Sequence, residues 1–460
     1  MNKFYESYIG TSEEEREEML KEMGNSDIME LFSDIPESLI LKEDIAIPGP
    51  YSEAELTRFF KAIANKNKDM LVSFLGGGVR QQYVPAAVEE VMQRGEIYTA
   101  YTPYQPEISQ GTLQLTYEYQ SMVAELLEMD VVNASLYDWG SAIGEVLLIM
   151  RRITRRRKLL IAEPVSPDRL AVAKSYIAYS DVEIEVVPAK NGLVDIEALI
   201  NIFSSESEKP KKEREIAGLY FEVPSYFGTL SENPADLCDI VHSSDALITI
   251  GVDPISLGIL SPPGEYGADF AVGEGQLLGN CINSGGPLLG ILAMKYNRKW
   301  IREIPGRLIG STKELNSDDV GYCITLQTRE QHIRREKATS NVCTNQAITA
   351  INAAIYLSSL GKRGIIELSQ SLYDKSHYLA SELNKLDGVT APYFDPFFSE
   401  FIVDFGEVSH SEITRKCMEN GFIPGHKILA KTTLRLISVN ELHTKSDLDN
   451  FVIAIREAIL

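Results

Sequence analysis

Three phenols recur at every third position of the stretch YTAYTPYQPEISQGTLQ: Tyr98, Tyr101 and Tyr104. Gln105, Glu107, Ser109 and Gln110 follow before a helix begins. Pro103 and Pro106 forbid a regular helix here and push Thr102 and Gln105 toward extended geometry. An extended chain with three residues per turn would stack the three tyrosines on one side. Its backbone donors then need partners elsewhere. Two readings stay open: a buried tyrosine loop bracing a core, or a wall of phenols lining a cleft beside Gln105, Glu107, Ser109 and Gln110.

Other groups with chemical potential are less specific. Glycine-rich turns occur in FLGGGVRQQYVP, DWGSAIGEV and NSGGPLLG. In the second, Gly140, Ser141 and Ala142 would open a helix whose backbone N–H groups could hold a phosphate. In TREQHIRREK, Glu330 with Arg334 and His332 with Glu336 are spaced i, i+4, which a salt-laced exposed helix explains without any ligand. RRITRRRK, residues 151–158, carries six positive charges in eight residues. It reads either as the solvated C-terminal end of a helix, where cations meet the helix dipole, or as a docking patch for an acidic partner.

The chain that must position these groups has 460 residues, long enough for two or three domains. A net charge of −22 argues against nucleic acid as the main partner. No run of about 18 apolar residues implies a membrane span, and the polar, acidic start argues against a secretory signal. Five cysteines lie far apart with no CxxC pair, so neither a disulfide framework nor a metal site is expected. A cytoplasmic location is the expectation.

Residues 1–65 read as a helical, acidic arm, with Ser52 and Glu55 spaced as a capping box. Pro85 and Gly95 bracket a predicted helix. Short apolar runs then alternate with helix-length stretches: KLLIAEP, VEIEVVP, IAGLYFEVP, DALITIGVDP, GADFAVG and LLGILAMK are the predicted strands. That alternation predicts an α/β domain with a mostly parallel sheet over 66–339. SSESEKPKKERE, residues 204–215, reads as a surface loop. A long helix ending near Gly361 leads into a small α+β domain, placed at 340–460.

Five segments together identify a resemblance: YTPYQPEISQGTLQ, VVNASLYD, PPGEYGAD, VGEGQLLG and LQTREQHIRREKATSNVCTNQ. They closely resemble the P protein of the glycine cleavage system, glycine dehydrogenase (decarboxylating), and more narrowly its N-terminal or α subunit. The resemblance runs from about Leu20 to the C-terminus. It implies the pyridoxal-phosphate fold type I architecture, with an arm, a large α/β domain and a small C-terminal domain. In the assembled enzyme, glycine is decarboxylated on pyridoxal phosphate and its aminomethyl group passes to the lipoyl group of H protein.

A pyridoxal enzyme needs a lysine to tether the cofactor. No lysine occurs between Lys212 and Lys295. By resemblance, the tethering position of the sister subunit falls at Gln276 or Leu277, and its ring-stacking histidine near Ile143. Asp253 is the nearest aspartate for a pyridinium partner and sits about three residues late. The resemblance therefore implies a subunit that binds no covalent cofactor and is inactive alone. Its partner, the β subunit (subunit 2), would carry the lysine and the pyridoxal phosphate. Tyr98, Tyr101, Tyr104, Gln105, Glu107, Ser109 and Gln110 would line that partner's active site across the interface. Arg329, His332, Arg334 and Arg335 are candidate interface residues.

The chain also departs from the family pattern: Gln82 stands where a histidine is usual and Trp139 where a glycine is, narrowing any residual cavity. SGGP replaces FGGP, and GFIPGHKILAKTT departs as a whole. The competing reading is a regulatory or scaffold homologue that kept the fold and lost the activity.

Overall fold

The computed structural model describes residues 10–43, 45–67, 71–99, 103–231, 233–282, 284–342, 345–393, 396–428 and 433–459. Tyr101 lies outside the described residues. The chain divides into two compact units, Met1–Asp69 and Met70–Leu460.

In the first unit two helices, Glu13–Glu22 and Glu53–Ala64, each start at a complete capping box. Ser12 pairs with Glu15, and Ser52 with Glu55, so side chains satisfy amides that the helix cannot. Leu56, Phe59, Phe60 and Ile63 form an apolar stripe at helical spacing, and all four are exposed.

In the second unit, β1 (Val72–Ser73) precedes a seven-stranded sheet. Its strands are β2 (Val131–Val132), β3 (Lys158–Ala162), β4 (Glu183–Val187), β5 (Ile216–Glu222), β6 (Leu247–Val252), β7 (Phe270–Glu274) and β8 (Gly290–Met294). The spatial order is β2-β8-β7-β6-β5-β3-β4. The run β4-β3-β5-β6-β7 is parallel, whereas β8 is antiparallel to both of its neighbours. All six predicted strands are present. They were readable because central strands bury both faces and so appear as unbroken apolar runs; β5 to β8 are buried throughout.

Adjacent side chains serve opposite layers, as the pleat requires. Leu160 packs with helices Ile196–Glu208 and Pro234–Ser243 through Phe203 and Val241. Leu159 and Ile161 pack with helices Trp139–Thr154 and Pro167–Ile177 through Val146 and Ala173.

A hairpin of β9 (Ile309–Lys313) and β10 (Val320–Ile324) follows, then helix Ala347–Leu383. Gly361 interrupts that helix at φ 60°, a backbone state open to glycine. β11 (Glu400–Asp404), β12 (Phe422–Ile423), β13 (His426–Lys427) and β14 (Leu434–Ser438) complete the strands. β12 pairs with β1, while β11-β14-β13 form an antiparallel sheet packed on helix Lys445–Ile459 through Phe401, Ile437 and Phe451.

Three expectations are corrected. The loop predicted at 204–215 begins as helix through Glu208, because the buried Glu206 carboxylate accepts the backbone N–H groups of Glu215 and Ile216. Gly95 does not cap the helix after Pro85: that helix ends at Met92, and Gly95 opens a separate turn, Gly95–Tyr98. Tyr98 is thus helical, so no continuous extended stripe runs from it to Tyr104.

Candidate functional site

In an open α/β sheet, ligands bind at the carboxyl ends of the strands. Here that edge carries Glu222 at the end of β5, Asp253 just after β6 and Glu274 at the end of β7. The helix starting at Trp139 faces them, and the loop 76–82 covers them from above.

The charged side chains along this edge are engaged within the chain. Arg80 is buried and its guanidinium meets Asp253 at 2.8 Å. The other Asp253 oxygen accepts the Ile255 N–H at 2.9 Å. Arg169 makes a two-pronged pair with Glu222, at 3.0 and 2.7 Å, and also donates to the Gly77 carbonyl at 3.1 Å. Tyr220 donates to the same carboxylate at 2.8 Å. Burial raises the Glu222 carboxyl above its ordinary value, against the opposing pull of Arg169. The Trp139 ring lies 3.9 Å from the Arg169 guanidinium carbon, a cation–π stack.

Gln276 stands in the turn Gly275–Leu277 and is fully buried. Its amide donates to the carbonyls of Arg80 at 3.1 Å and Asn280 at 2.7 Å, and accepts the Arg80 N–H at 3.2 Å. Gln82 closes the same turn by donating to the carbonyls of Gln276 and Asn280. Leu277 packs in the core, as does Ile143.

The helix N-terminus beginning at Trp139 is not a vacant anion site. The Glu274 carboxylate accepts the Trp139 N–H at 3.1 Å with one oxygen, and the Gln276 and Leu289 N–H groups at 3.0 and 2.8 Å with the other. Asp138 caps the Ser141 N–H at 2.7 Å. A chain carboxylate thus occupies the position that a phosphate would need, which overturns the expectation for Gly140 to Ala142. Burial raises the Glu274 carboxyl to about 7, despite its three donors.

These residues do not fit pyridoxal phosphate. The cavity among Gly78, Trp139, Arg169, Tyr226, Asp253 and Glu400 measures about 20 Å³. Cofactor sites span roughly 300–1,000 Å³. The position offers neither an amine nor room for a ring.

The tyrosine segment lies apart from this edge. Tyr98 is 70% exposed and Tyr104 is 37% exposed, so neither braces a core. Gln105 and Glu107 are exposed, and Ser109 is partly so. Gln110 differs: its amide donates to the carbonyls of Pro106 and Tyr322, and accepts the Tyr322 N–H at 2.8 Å. It pins the segment to β10 rather than presenting a free group.

Among the candidate interface residues, Arg329 faces inward and donates to the carbonyls of Ile304 and Gly306. His332, Arg334 and Arg335 lie on the surface. His332 packs against Tyr104, with ring centroids 5.1 Å apart.

The cations of RRITRRRK are largely engaged in place. Arg151 pairs with Asp181, Arg152 with Glu303, Arg157 with Asp181 and Lys158 with Glu185. Arg156 donates to the carbonyls of Ile216, Ser244 and Asp245. The stretch lies at the amino ends of β3, β4 and β5, opposite the edge described above. That arrangement favours the helix-end reading over a docking patch.

Sequence reasoning named Gln276, Gln82, Asp253 and Trp139 but missed Arg169, Glu222 and Glu274. Their only local signal is a charged residue at the end of an apolar strand, or a cation early in a helix.

Among the described residues no helix is long and apolar enough to cross a membrane. The family model "Glycine cleavage system P-protein" matches residues 6–455. A protein of Moorella thermoacetica named "Probable glycine dehydrogenase (decarboxylating) subunit 1" is 42% identical, covering 98% of this chain and 99% of its own length. Its namesake in Sulfolobus acidocaldarius is 41% identical, covering 96% and 97%. The crystal structure of a glycine decarboxylase (P-protein) of the glycine cleavage system, in inhibitor-bound form, superposes with a TM-score of 0.85 at 36% identity, over 97% of this chain and 98% of that one. A glutamate decarboxylase of Lactobacillus brevis, 13% identical with a TM-score of 0.65, covers 92% of this chain and 96% of its own and shares the fold, pyridoxal-phosphate fold type I. The chain belongs to the glycine cleavage system P-protein family.

Proposed function

We propose that this chain is one of two different subunits of a glycine dehydrogenase (decarboxylating), inactive alone and required for its partner's turnover. The observation that carries this reading is the filled strand edge: Gln276 and Leu277, one of which the resemblance puts at the tethering position, are both buried, and about 20 Å³ remains beside Trp139 and Arg169. The naming of relatives as subunit 1 supports a second subunit. In this reading pyridoxal phosphate resides in that partner, where it supplies the electron sink for loss of carbon dioxide from glycine. Lipoylated H protein receives the aminomethyl group. The reading also carries a cytoplasmic location, and a division into an arm at 1–65, a large domain at 66–339 and a small domain at 340–460.

What this chain contributes is a polar wall. Tyr98, Tyr104, Gln105, Glu107 and Ser109 lie on or near the surface, and Tyr101 belongs to the same segment. Gln110 holds the base of that segment against β10. Presented to a neighbouring active site, the phenols and the carboxylate orient the substrate and exclude water. Arg334 and Arg335 supply cations for the interface.

The test is co-expression with the sister subunit. The pair should show pyridoxal absorbance and glycine–bicarbonate exchange, and this chain alone should show neither. Glu107→Gln should lower exchange by about tenfold to a hundredfold while the pair still co-purifies. Exchange by the isolated chain would refute the reading.

A further inference from the structure

Tyr104 is the one member of the phenol triplet with a described aromatic neighbour from the distant 326–346 segment, and that neighbour is His332. The imidazole and the phenol ring are tilted at 55°, with their centroids inside the range at which aromatic rings interact. The Arg307 guanidinium also approaches the Tyr104 ring, at 5.5 Å from its centroid. Behind His332 stands Glu330, whose side chain is 9% exposed; its Oε2 lies 3.7 Å from His332 Nδ1. The Glu330 Oε1 atom is buried without a hydrogen-bond partner. Burial raises the Glu330 carboxyl, while His332, Arg307 and Arg329 pull it down.

The backbone around this cluster is firmly set. Arg329 is tied to the carbonyls of Ile304 and Gly306, and the N–H groups of Ile333 and Arg334 bond to the Glu330 carbonyl. The histidine therefore stands on a fixed base. The segment it touches is tied down at Gln110 and, within Pro103–Ser109, has only a single short turn of helix at Pro106–Ile108. A ring carried on a bonded turn, set against the phenol of a segment with little helix of its own, is a positioning contact.

We propose that His332 is a positioning residue: its ring sets the rotamer of Tyr104, and with it the presentation of the Tyr98–Gln110 wall to the partner's active site. This rests on the function proposed above and adds a residue that acts through Tyr104 without touching the substrate. It also gives the TREQHIRREK stretch a role beyond a salt-laced helix.

The experiment uses the complex of this chain with its sister subunit and reads glycine–bicarbonate exchange. Tyr104→Ala should reduce exchange, and His332→Ala should reduce it by about threefold to tenfold, the size of a lost ring–ring contact. His332→Phe, which keeps a ring, should recover exchange to within about twofold. The double variant should be no worse than Tyr104→Ala alone, because both substitutions break one linkage. All variants should co-purify with the partner to the same extent. Normal exchange in His332→Ala with reduced exchange in Tyr104→Ala overturns the inference and leaves the proposed function standing. Normal exchange in Tyr104→Ala overturns the inference together with the polar-wall role of this segment, while the subunit assignment, which the isolated-chain assay tests, stands. Failure of His332→Phe to recover overturns the ring-contact explanation.

Discussion

Placing a lysine at Gln276, one of the two positions where the resemblance puts the tether, separates a site that lacks one amine from a site that is closed. Gln276 is fully buried and holds the Arg80 N–H through its amide oxygen at 3.2 Å. Lysine has no acceptor, so that N–H would be orphaned, at about 1–3 kcal/mol. The ammonium could donate to the Arg80 and Asn280 carbonyls, but it would be sealed from water. Burial that depresses its pKa by about two units costs about 3 kcal/mol more. The total expected loss is about 4–6 kcal/mol, a large part of the stability of an ordinary domain. Equilibrium denaturation of wild type and variant measures it. After incubation with pyridoxal phosphate and dialysis, the variant should stay colourless, since about 20 Å³ cannot take a pyridine ring. A stability change below about 1 kcal/mol, or stoichiometric visible absorbance, would refute the reasoning.

Glu274 carries a pH signature. Its carboxyl stands at about 7 in the fold, so folding binds a proton between the unfolded value and that one. Its contribution is complete in acid below about pH 4 and declines as pH rises through about 7, by about 3 kcal/mol in all. Urea midpoints followed from pH 5 to 8 should show this decline in wild type and lack it in Glu274→Gln. Gly228 has φ +81°, and a Cβ there would collide with the Glu400 carbonyl. Gly228→Ala should therefore lower stability by about 3 kcal/mol or more, seen as a fall in thermal midpoint. Arg151→Ala should cost less than about 1 kcal/mol in the same assay, because its pair with Asp181 is partly exposed and screened.

The sheet was legible because its physics is local. An apolar run stopped by Pro, Gly or Asp has few alternatives to a buried strand, and Ser52 with Glu55 states a helix start within four residues. The hairpin β9–β10 escaped notice since its strands are only partly buried and carry no unbroken apolar run. The closed strand edge was legible only in part. Absence of lysine is visible in a string of letters, but Arg80 meets Asp253 across 173 positions of chain, and no local pattern announces it. Periodicity alone misled at Tyr98: a three-residue spacing suits extended chain, yet Arg94 to Thr99 closes a helical turn through its own backbone bonds.

The Glu274 carboxylate, seated where three backbone amides converge, makes this edge hard to open by stepwise change. Removing it strands those donors, adding an amine beside it adds a buried charge, and clearing Trp139 unseats Arg169. Each such step is harmful unless the others accompany it.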